Sequence, residues 1–224
     1  MRRREFLERS AAGAALTLGV TLTGCKTEAL PDAGGASFAP DAWIRIESDG
    51  TVRVIATLGG GPNGAAMGPG GKIYVTNNGG LKFVERPGRL FPVGQADDYR
   101  TGSIQVVDPV TGKFETLYDS CDGRRLCGPN DLVFDRAGGF WFTDLGKTRE
   151  RDADRGGVYY ARADGSMIQE AIFPLEQPNG IGLSPDERTL YVVETPTARC
   201  WAFAVSGPGE IGRASCRERV SSVV

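Results

Sequence analysis

The sequence contains no histidine among its 224 residues. This absence excludes a Ser-His-Asp or Cys-His catalytic arrangement and any metal site with imidazole ligands. A metal bound by this chain would need oxygen ligands, which suit hard cations such as calcium or magnesium. Excess charge of one sign is also lacking. The formal net charge is −2, so the composition indicates no nucleic-acid partner.

No apolar run at the N-terminus is long enough for a transmembrane helix, and residues 1–25 instead have the layout of an export signal. Arg3–Leu7 resembles a twin-arginine motif. Leu22–Cys25 resembles a lipobox, in which Cys25 is lipidated. We therefore expect a periplasmic lipoprotein held to the membrane only by this anchor, with residues 26–42 as a linker, if this N-terminus is native to the gene. Otherwise we expect a cytoplasmic protein.

Glycine and proline are abundant, with 32 and 13 residues, but hydrophobic residues still make up 40% of the chain. This balance favours tight turns rather than disorder. One pattern occurs three times: Pro-Asn-(Gly or Asp), a short apolar segment, a turn, and an aromatic-rich strand with a polar end. Its asparagines are Asn63, Asn130 and Asn179, and Thr76 and Thr143 each lie thirteen residues after an asparagine. Such internal repeats are typical of propellers, solenoids and arrays.

Each repeat continues with further short strands, separated by turns such as Asp49-Gly50 and Asp164-Gly165 that favour hairpins. The repeating unit is therefore four antiparallel strands, which is one blade of a β-propeller. Residues 43–209 read as the last two strands of one blade, two whole blades, and three strands of a fourth. The predicted fold is all-β.

Residues from about 51 to 209 resemble the gluconolactonase/regucalcin (senescence marker protein-like) family of six-bladed β-propellers. The motifs that carry the resemblance are GGGPNGAAMGPGGKIYVTNNGG, GPNDLVFDRAGGFWFTDLGK, DRGGVYYARADG and PNGIGLSPDERTLYVVET. The resemblance implies an incomplete six-bladed propeller with about half the ring present. It also implies a fragment of a metal-dependent hydrolase whose substrate is a sugar lactone or a related ester.

In that family one divalent cation lies in the central channel, held by an early Glu, an Asn of a PNG motif and a later Asp. The resemblance makes Asn179 a metal ligand, Asn130 a metal and substrate residue, and Asp131 a substrate residue. Calcium is the expected cation, with zinc, magnesium or manganese as alternatives. The cation would polarise the lactone carbonyl and lower the pKa of a bound water, while a carboxylate acts as general base.

The sequence departs from the family pattern at three places. FAPDAW stands where FPEGP is expected, the later Asp would lie beyond Gly209, and Gly128-Pro129 replaces an arginine before the N-D motif. We therefore predict no catalytic residue and an inactive or nearly inactive chain. Two alternatives stay open, a non-catalytic periplasmic propeller that binds a ligand and a strictosidine-synthase-like propeller. The asparagines could also be turn residues that cap through their side chains, which we prefer for Asn63.

Both ends resemble foreign sequence. SFAPDAWIRIESDGTVRV resembles the N-terminus of the large subunit of isoquinoline oxidoreductase-type molybdenum hydroxylases, which suggests a splice near DGTVRV. Residues 210–224 contain EIGRASCRERV, which lacks apolar periodicity and resembles a translated sequencing adapter. We therefore interpret residues 210–224 as a non-native tail, with a natural basic tail as the alternative.

Two cysteines and two acidic residues need separate interpretation. Cys121 and Cys127 flank the short loop CDGRRLC and could form a disulfide or remain free thiols. Asp144 and Glu194 end aromatic-rich strands and read as strand-terminating residues rather than ligands.

Two connections between strands are also interpreted from their composition. Residues 147–155 read as a solvated loop. The Gly- and Pro-rich connection 78–101 could be a substrate lid or an ordinary long loop.

Overall fold

A computed structural model describes residues 16–18, 42–46, 52–87 and 89–219, with side chains described from residue 54 to 212 except residue 88. These residues form strands and one short 3-10 turn, Pro69–Gly71. The described residues include no helix that is long and apolar enough to cross a membrane. Cys25, predicted to be lipidated, lies outside the described residues, as does most of the predicted linker.

The strands, in chain order, are β1 (Leu16–Leu18), β2 (Ala42–Ile46), β3 (Val52–Thr57), β4 (Pro62–Met67), β5 (Ile73–Asn77), β6 (Leu81–Arg86), β7 (Arg89–Gln95), β8 (Ser103–Val107), β9 (Phe114–Tyr118), β10 (Ser120–Cys121), β11 (Arg124–Arg125), β12 (Pro129–Phe134), β13 (Gly139–Asp144), β14 (Gly156–Arg162), β15 (Ile168–Leu175), β16 (Pro178–Leu183), β17 (Thr189–Glu194), β18 (Arg199–Gly207) and β19 (Glu210–Arg219).

Three four-stranded antiparallel sheets confirm the predicted all-β fold of a partial propeller. Blade one is β4-β5-β8-β9, blade two is β12-β13-β14-β15, and blade three is β16-β17-β18-β19. A three-stranded sheet, β1-β2-β3, precedes them, and its first strand falls inside the predicted export signal. The hairpins β6-β7 and β10-β11 are inserted in the connections.

The prediction of only three strands in the last blade is wrong. Strand β19 pairs along β18 from Gly207↔Glu210 to Arg199↔Arg219 and completes blade three. The segment was missed because it lacks apolar periodicity, while backbone pairing with a neighbouring strand does not require that pattern. Whether residues 210–224 are native to the gene stays a prediction, and residues 220–224 lie outside the described residues.

The core lies between the faces of neighbouring blades and is largely aromatic. Tyr74 of blade one contacts Phe134 and Phe140 of blade two, with ring centroids 5.0 and 5.8 Å apart. Trp141 of blade two is fully buried in a second cluster that includes Phe203 of blade three. Burying such large apolar side chains face to face is what fixes each blade against the next.

Candidate functional site

The three Pro-Asn motifs lie at one edge of the blades. Antiparallel pairing places the start of each first strand beside the end of the second, as in Pro62↔Asn77, Pro129↔Asp144 and Pro178↔Glu194. We call this the entrance edge, defined by the three asparagines that follow these prolines and by Asp131. The structure thus brings the predicted site residues of neighbouring blades to the same edge of the fold.

The polar residues that end the second strands anchor the chain entering each blade. Asp144 is buried and accepts hydrogen bonds from the backbone N–H groups of Cys127, Gly128 and Gly146 at 2.7, 2.6 and 2.9 Å. Burial raises the pKa of the Asp144 carboxyl, although the three backbone donors oppose this shift. All of its bonds lead to loop backbone, so a strand-terminating role accounts for it.

Asn77 and Glu194 occupy the equivalent positions in blades one and three. Asn77 Oδ1 accepts from the N–H groups of Gly61 and Gly79, both at 2.9 Å. Glu194 accepts from the Glu176 N–H at 2.8 Å and from the Thr197 hydroxyl at 2.6 Å. The repeated polar strand ends are therefore structural caps of the blade connections.

Threonines one residue earlier connect each blade to the next. Thr76 of blade one donates its hydroxyl to the backbone carbonyl of Asn130 in blade two at 2.6 Å. Thr143 of blade two donates in the same way to the carbonyl of Asn179 in blade three, also at 2.6 Å. These bonds hold the backbone, but not the side chain, of each candidate ligand.

The asparagine side chains have no hydrogen-bond partner among the described residues. Asn130 is 7% exposed, whereas Asn63 and Asn179 are half-buried. The capping interpretation preferred for Asn63 required a side-chain bond to nearby backbone, and that bond is not seen within the described part of the chain. Capping is done instead by the strand-end residues. The asparagine amides are therefore available to a ligand, which could use both their donors and their acceptor.

Asp131 is the carboxylate that directly follows one of the three asparagines at the entrance edge. It fills the position that Gly64 and Gly180 occupy in the neighbouring blades. A side chain at Gly64 would lie 2.7 Å from the Asn130 carbonyl and 2.8 Å from Asp131 Oδ1, so this close approach requires glycine. The small residues on both sides thus leave room for one carboxylate.

The Asp131 carboxylate contacts the adjoining blade. Its Oδ1 accepts from the Leu132 N–H at 2.9 Å and its Oδ2 accepts from the Ile181 N–H of blade three at 3.3 Å. Desolvation raises the pKa of this carboxyl, while the two backbone bonds oppose the shift. A half-buried carboxylate with no cation partner among the described residues is suited to accept hydrogen bonds from the hydroxyl groups of a small molecule.

The amide and carboxylate oxygens at the entrance edge are of the type that a hard cation binds, but there are too few of them among the described residues to complete its coordination. Amide and carboxylate oxygens are the ligands that calcium prefers, usually six to eight of them. Across the ranges that the structure describes, no group of three or more His, Cys, Asp or Glu residues could hold a metal ion. Asn130, Asn179 and Asp131 alone do not make a complete divalent-cation site.

Lys147 was missed by the sequence reading, which placed it in a solvated loop. It is 3% exposed, and its Nζ donates to the Gly80 carbonyl at 2.9 Å and lies 4.7 Å from the Tyr99 ring centroid. Desolvation lowers the pKa of Lys147 to about 8. The lysine therefore connects the 145–155 loop of blade two to the long connection of blade one. Both segments follow strands that end at the entrance edge.

The rest of this loop is solvated as predicted. Arg149 bonds the carboxylates of Asp152 and Asp154, each at 2.6 Å. These two carboxylates are neutralised by a local arginine, Arg149. No signal in the sequence separates the buried Lys147 from the exposed residues that follow it.

Cys121 and Cys127 are free thiols, which confirms the simpler of the two sequence interpretations. Burial raises the pKa of the Cys127 thiol to about 11. Such a thiol is a poor nucleophile near neutral pH, so a catalytic cysteine is not indicated here.

A match to a known protein family covers most of the chain. The model of the SMP-30/gluconolactonase/LRE-like region matches residues 40–218. The gluconolactonase of Zymomonas mobilis is 32% identical over 159 residues, which cover 66% of this chain and 38% of that protein. Lactonase drp35 of Staphylococcus saprophyticus is 38% identical over 117 residues, or 52% of this chain and 35% of that protein.

Solved structures agree with the sequence relatives. A gluconolactonase from Xanthomonas campestris superposes with a TM-score of 0.60 at 27% identity, covering 78% of this chain and 54% of that one. The chain spans under two fifths of the length of the curated relatives named above. The structural likeness covers about half of the Xanthomonas campestris gluconolactonase.

Proposed function

Since the chain belongs to the SMP-30/gluconolactonase/LRE-like family, we propose that its entrance edge binds a sugar lactone or a related small ester. The Asn130 and Asn179 amides and the Asp131 carboxylate would hold the ring hydroxyls of that substrate. The proposal includes little or no hydrolysis by this chain alone. The described residues supply no full set of cation ligands. The strand-end carboxylates Asp144 and Glu194 are already bonded to the blade connections.

One observation carries the proposal. Asn130 as a residue is 7% exposed, and its side-chain amide has no hydrogen-bond partner in the described part of the chain, so the amide is free to bond a ligand. An amide offers both donors and an acceptor, and a carboxylate offers acceptors only. Together with Asp131 it therefore matches a ligand that presents several hydroxyl groups, as a sugar lactone does.

The position of these groups supports the same reading. The Thr76 and Thr143 bonds hold the backbones of Asn130 and Asn179, which lie at register shifts within strands β12 and β16. Sites built on such elements hold their geometry better than sites on loops. The relatives named gluconolactonase and lactonase support the class of ligand.

Calorimetric titration of the full chain with a ring-ether polyol would test binding. Such a ligand has the hydroxyls of a sugar lactone and no carbonyl to hydrolyse. We expect binding that is lost in Asn130→Ala and Asn179→Ala. The matched control is Asn63→Ala, which removes the equivalent side chain of blade one and should leave binding within about twofold. Equal loss in all three variants, or no binding by the parent chain, would contradict the proposal.

A turnover assay tests the inactivity separately. D-Glucono-δ-lactone should disappear at its spontaneous rate in the presence of the chain and calcium. Turnover above that rate that is abolished by a chelator would show a complete cation site and would overturn the proposed inactivity. The binding result would still stand, since it does not depend on catalysis.

A further inference from the structure

The hairpin β6-β7 stands apart from the blades. Its two strands pair with each other over six residue pairs, from Leu81↔Gln95 to Arg86↔Arg89, and form a separate two-stranded sheet. It is inserted between β5 and β8 of blade one, where the sequence analysis left a lid or an ordinary loop open. Two-stranded ribbons are only marginally stable by themselves, which makes the surface of this one a candidate for a function.

The strand register places the basic side chains of this hairpin on one face. Residues directly opposite in an antiparallel pair point to the same side. Val84 is opposite Phe91, and Arg86 is opposite Arg89. Since Lys82 is on the same side as these residues by the period of two, one face carries three cations and two apolar side chains. Glu85 points to the other face.

The same hairpin exposes large apolar side chains to solvent. Leu90 is 49% exposed, Val93 48%, Phe91 38% and Leu81 36%. The Arg86 guanidinium lies 5.2 Å from the Phe91 ring centroid, so a cation and an exposed aromatic ring form one patch. Leu90 lies opposite Glu85 and so belongs to the other face. We call Arg86, Arg89, Phe91 and Val93 the hairpin patch.

The charge of the hairpin is opposite to that of the chain. Residues 81–95 contain three basic residues and one acidic residue, a net charge of +2, whereas the whole chain has a net charge of −2. Lys82 forms an exposed ion pair with Asp97 at 2.9 Å. Among the residues that the structure describes, Arg86 and Arg89 have no carboxylate partner, so their charges are available to an external anion.

We propose that the hairpin patch binds the surface of an anionic phospholipid bilayer. Exposed Phe and Val side chains beside arginines are a combination that enters the boundary between headgroups and acyl chains, with the guanidinium groups at the phosphates. A basic residue near an anionic membrane surface strengthens binding, independently of any acyl anchor. The hairpin would therefore act as a second, independent membrane contact.

The first test is sedimentation of the full chain with vesicles. Cys25→Ser in every sample prevents lipidation, so binding by an acyl anchor does not contribute. Vesicles of phosphatidylcholine containing phosphatidylglycerol are compared with phosphatidylcholine alone. We expect preferential binding to the anionic vesicles, a loss of about tenfold or more in the Arg86→Gln/Arg89→Gln variant, and weakening by added salt.

Two further variants separate charge, insertion and folding. Phe91→Ser/Val93→Ser should weaken binding to anionic vesicles while the arginines remain. The control Lys113→Gln/Arg162→Gln neutralises two exposed cations outside the hairpin and should bind like the parent. All of these side chains are exposed, so the urea midpoints should stay close to that of the parent.

Three results would overturn the proposal. The first is equal sedimentation with neutral and anionic vesicles. The second is unchanged binding in the Arg86→Gln/Arg89→Gln variant. The third is an equal loss in the Lys113→Gln/Arg162→Gln control, which would mean that the overall charge rather than the hairpin controls binding. Capture of an acidic protein without any vesicle binding would assign the hairpin patch to a protein partner instead.

Discussion

The Thr143 hydroxyl of blade two lies 2.6 Å from the backbone carbonyl oxygen of Asn179 in blade three, to which it donates a hydrogen bond. Thr76 makes the same bond to the Asn130 carbonyl one blade earlier. Each threonine thus holds the backbone of an asparagine that we assign to ligand binding and leaves the asparagine side chain free. The equivalent residue of blade three is Val193, which has no hydroxyl.

Removing either threonine hydroxyl should loosen the contact between two blades. Thr143→Val keeps the shape but leaves the Asn179 carbonyl without this donor and the Asp131 N–H without its acceptor. We expect a loss of about 1–3 kcal/mol in the free energy of unfolding, measured by urea denaturation. Thr143→Ser should retain most of the stability. The exposed Thr116→Val serves as control, and an equal loss there would contradict the account.

The bonds of Asp144 predict a graded series. Asp144→Asn keeps an oxygen for Gly128 and Gly146, as Asn77 does for the equivalent glycines of blade one, and loses the bond from Cys127. This change should cost about 1–3 kcal/mol, and Asp144→Ala should cost more because all three donors lose their acceptor. Calcium titration by calorimetry should be the same for the parent and Asn variant. A large calcium effect would make Asp144 a ligand.

Asp131 should show a conflict between stability and binding. Desolvation raises its folded-state pKa, so the folded chain holds this proton more tightly than the unfolded chain does. The group therefore lowers stability above its folded pKa, and this cost disappears as the pH falls below the ordinary value of 3.8. Asp131→Asn should be as stable as the parent or more stable at pH 7, with this advantage shrinking in acid, while polyol binding falls.

Denaturation of both proteins between pH 3 and 7 would check this expectation, each measured beside Asn63→Ala as a control for a change at the same edge. A variant that is clearly less stable at pH 7 would mean that the Leu132 and Ile181 bonds outweigh the desolvation cost. Asp131 would then be a structural residue.

Lys147 predicts a stability change in alkaline solution. Its pKa is lowered from 10.5 to about 8 in the folded chain, so between these values the unfolded chain binds more protons. Its contribution to stability must then rise with pH over that interval. Thermal unfolding of the parent and Lys147→Met should show the parent gaining stability relative to the variant from pH 8 to 10.5. A constant difference in stability would mean that the Lys147 amine titrates normally and is not desolvated beside Gly80 and Tyr99.

The blade architecture could be predicted from the sequence because each blade repeats the same local pattern. Pro-Asn openings, apolar alternation and polar strand ends recur with nearly constant spacing, so each repeat supports the others. Strand β19 was not predicted because a single strand without apolar alternation has no such support. The β6-β7 hairpin was not predicted because it lies in a Gly- and Pro-rich connection, and the same residue types are common in irregular loops.

The candidate site was predicted only in part. The sequence placed Asn130, Asp131 and Asn179 together through the repeat, but it could not show which side chains are paired. That distinction depends on distances between blades, such as the close approach of Gly64 to Asp131. Burial of Lys147 depends on Tyr99 and Gly80, which are distant in the chain, and the neighbouring charged residues of its loop suggested solvent exposure.

The most direct test of the entrance edge is the NMR signal of its asparagine side chains. The chain labelled with 15N is titrated with the ring-ether polyol, and the side-chain NH2 signals are followed. We predict that the signals of Asn130 and Asn179 shift together with one dissociation constant, while that of Asn63 stays in place. Unchanged Asn130 and Asn179 signals, or an equal shift of all three asparagines, would contradict a ligand site at this edge.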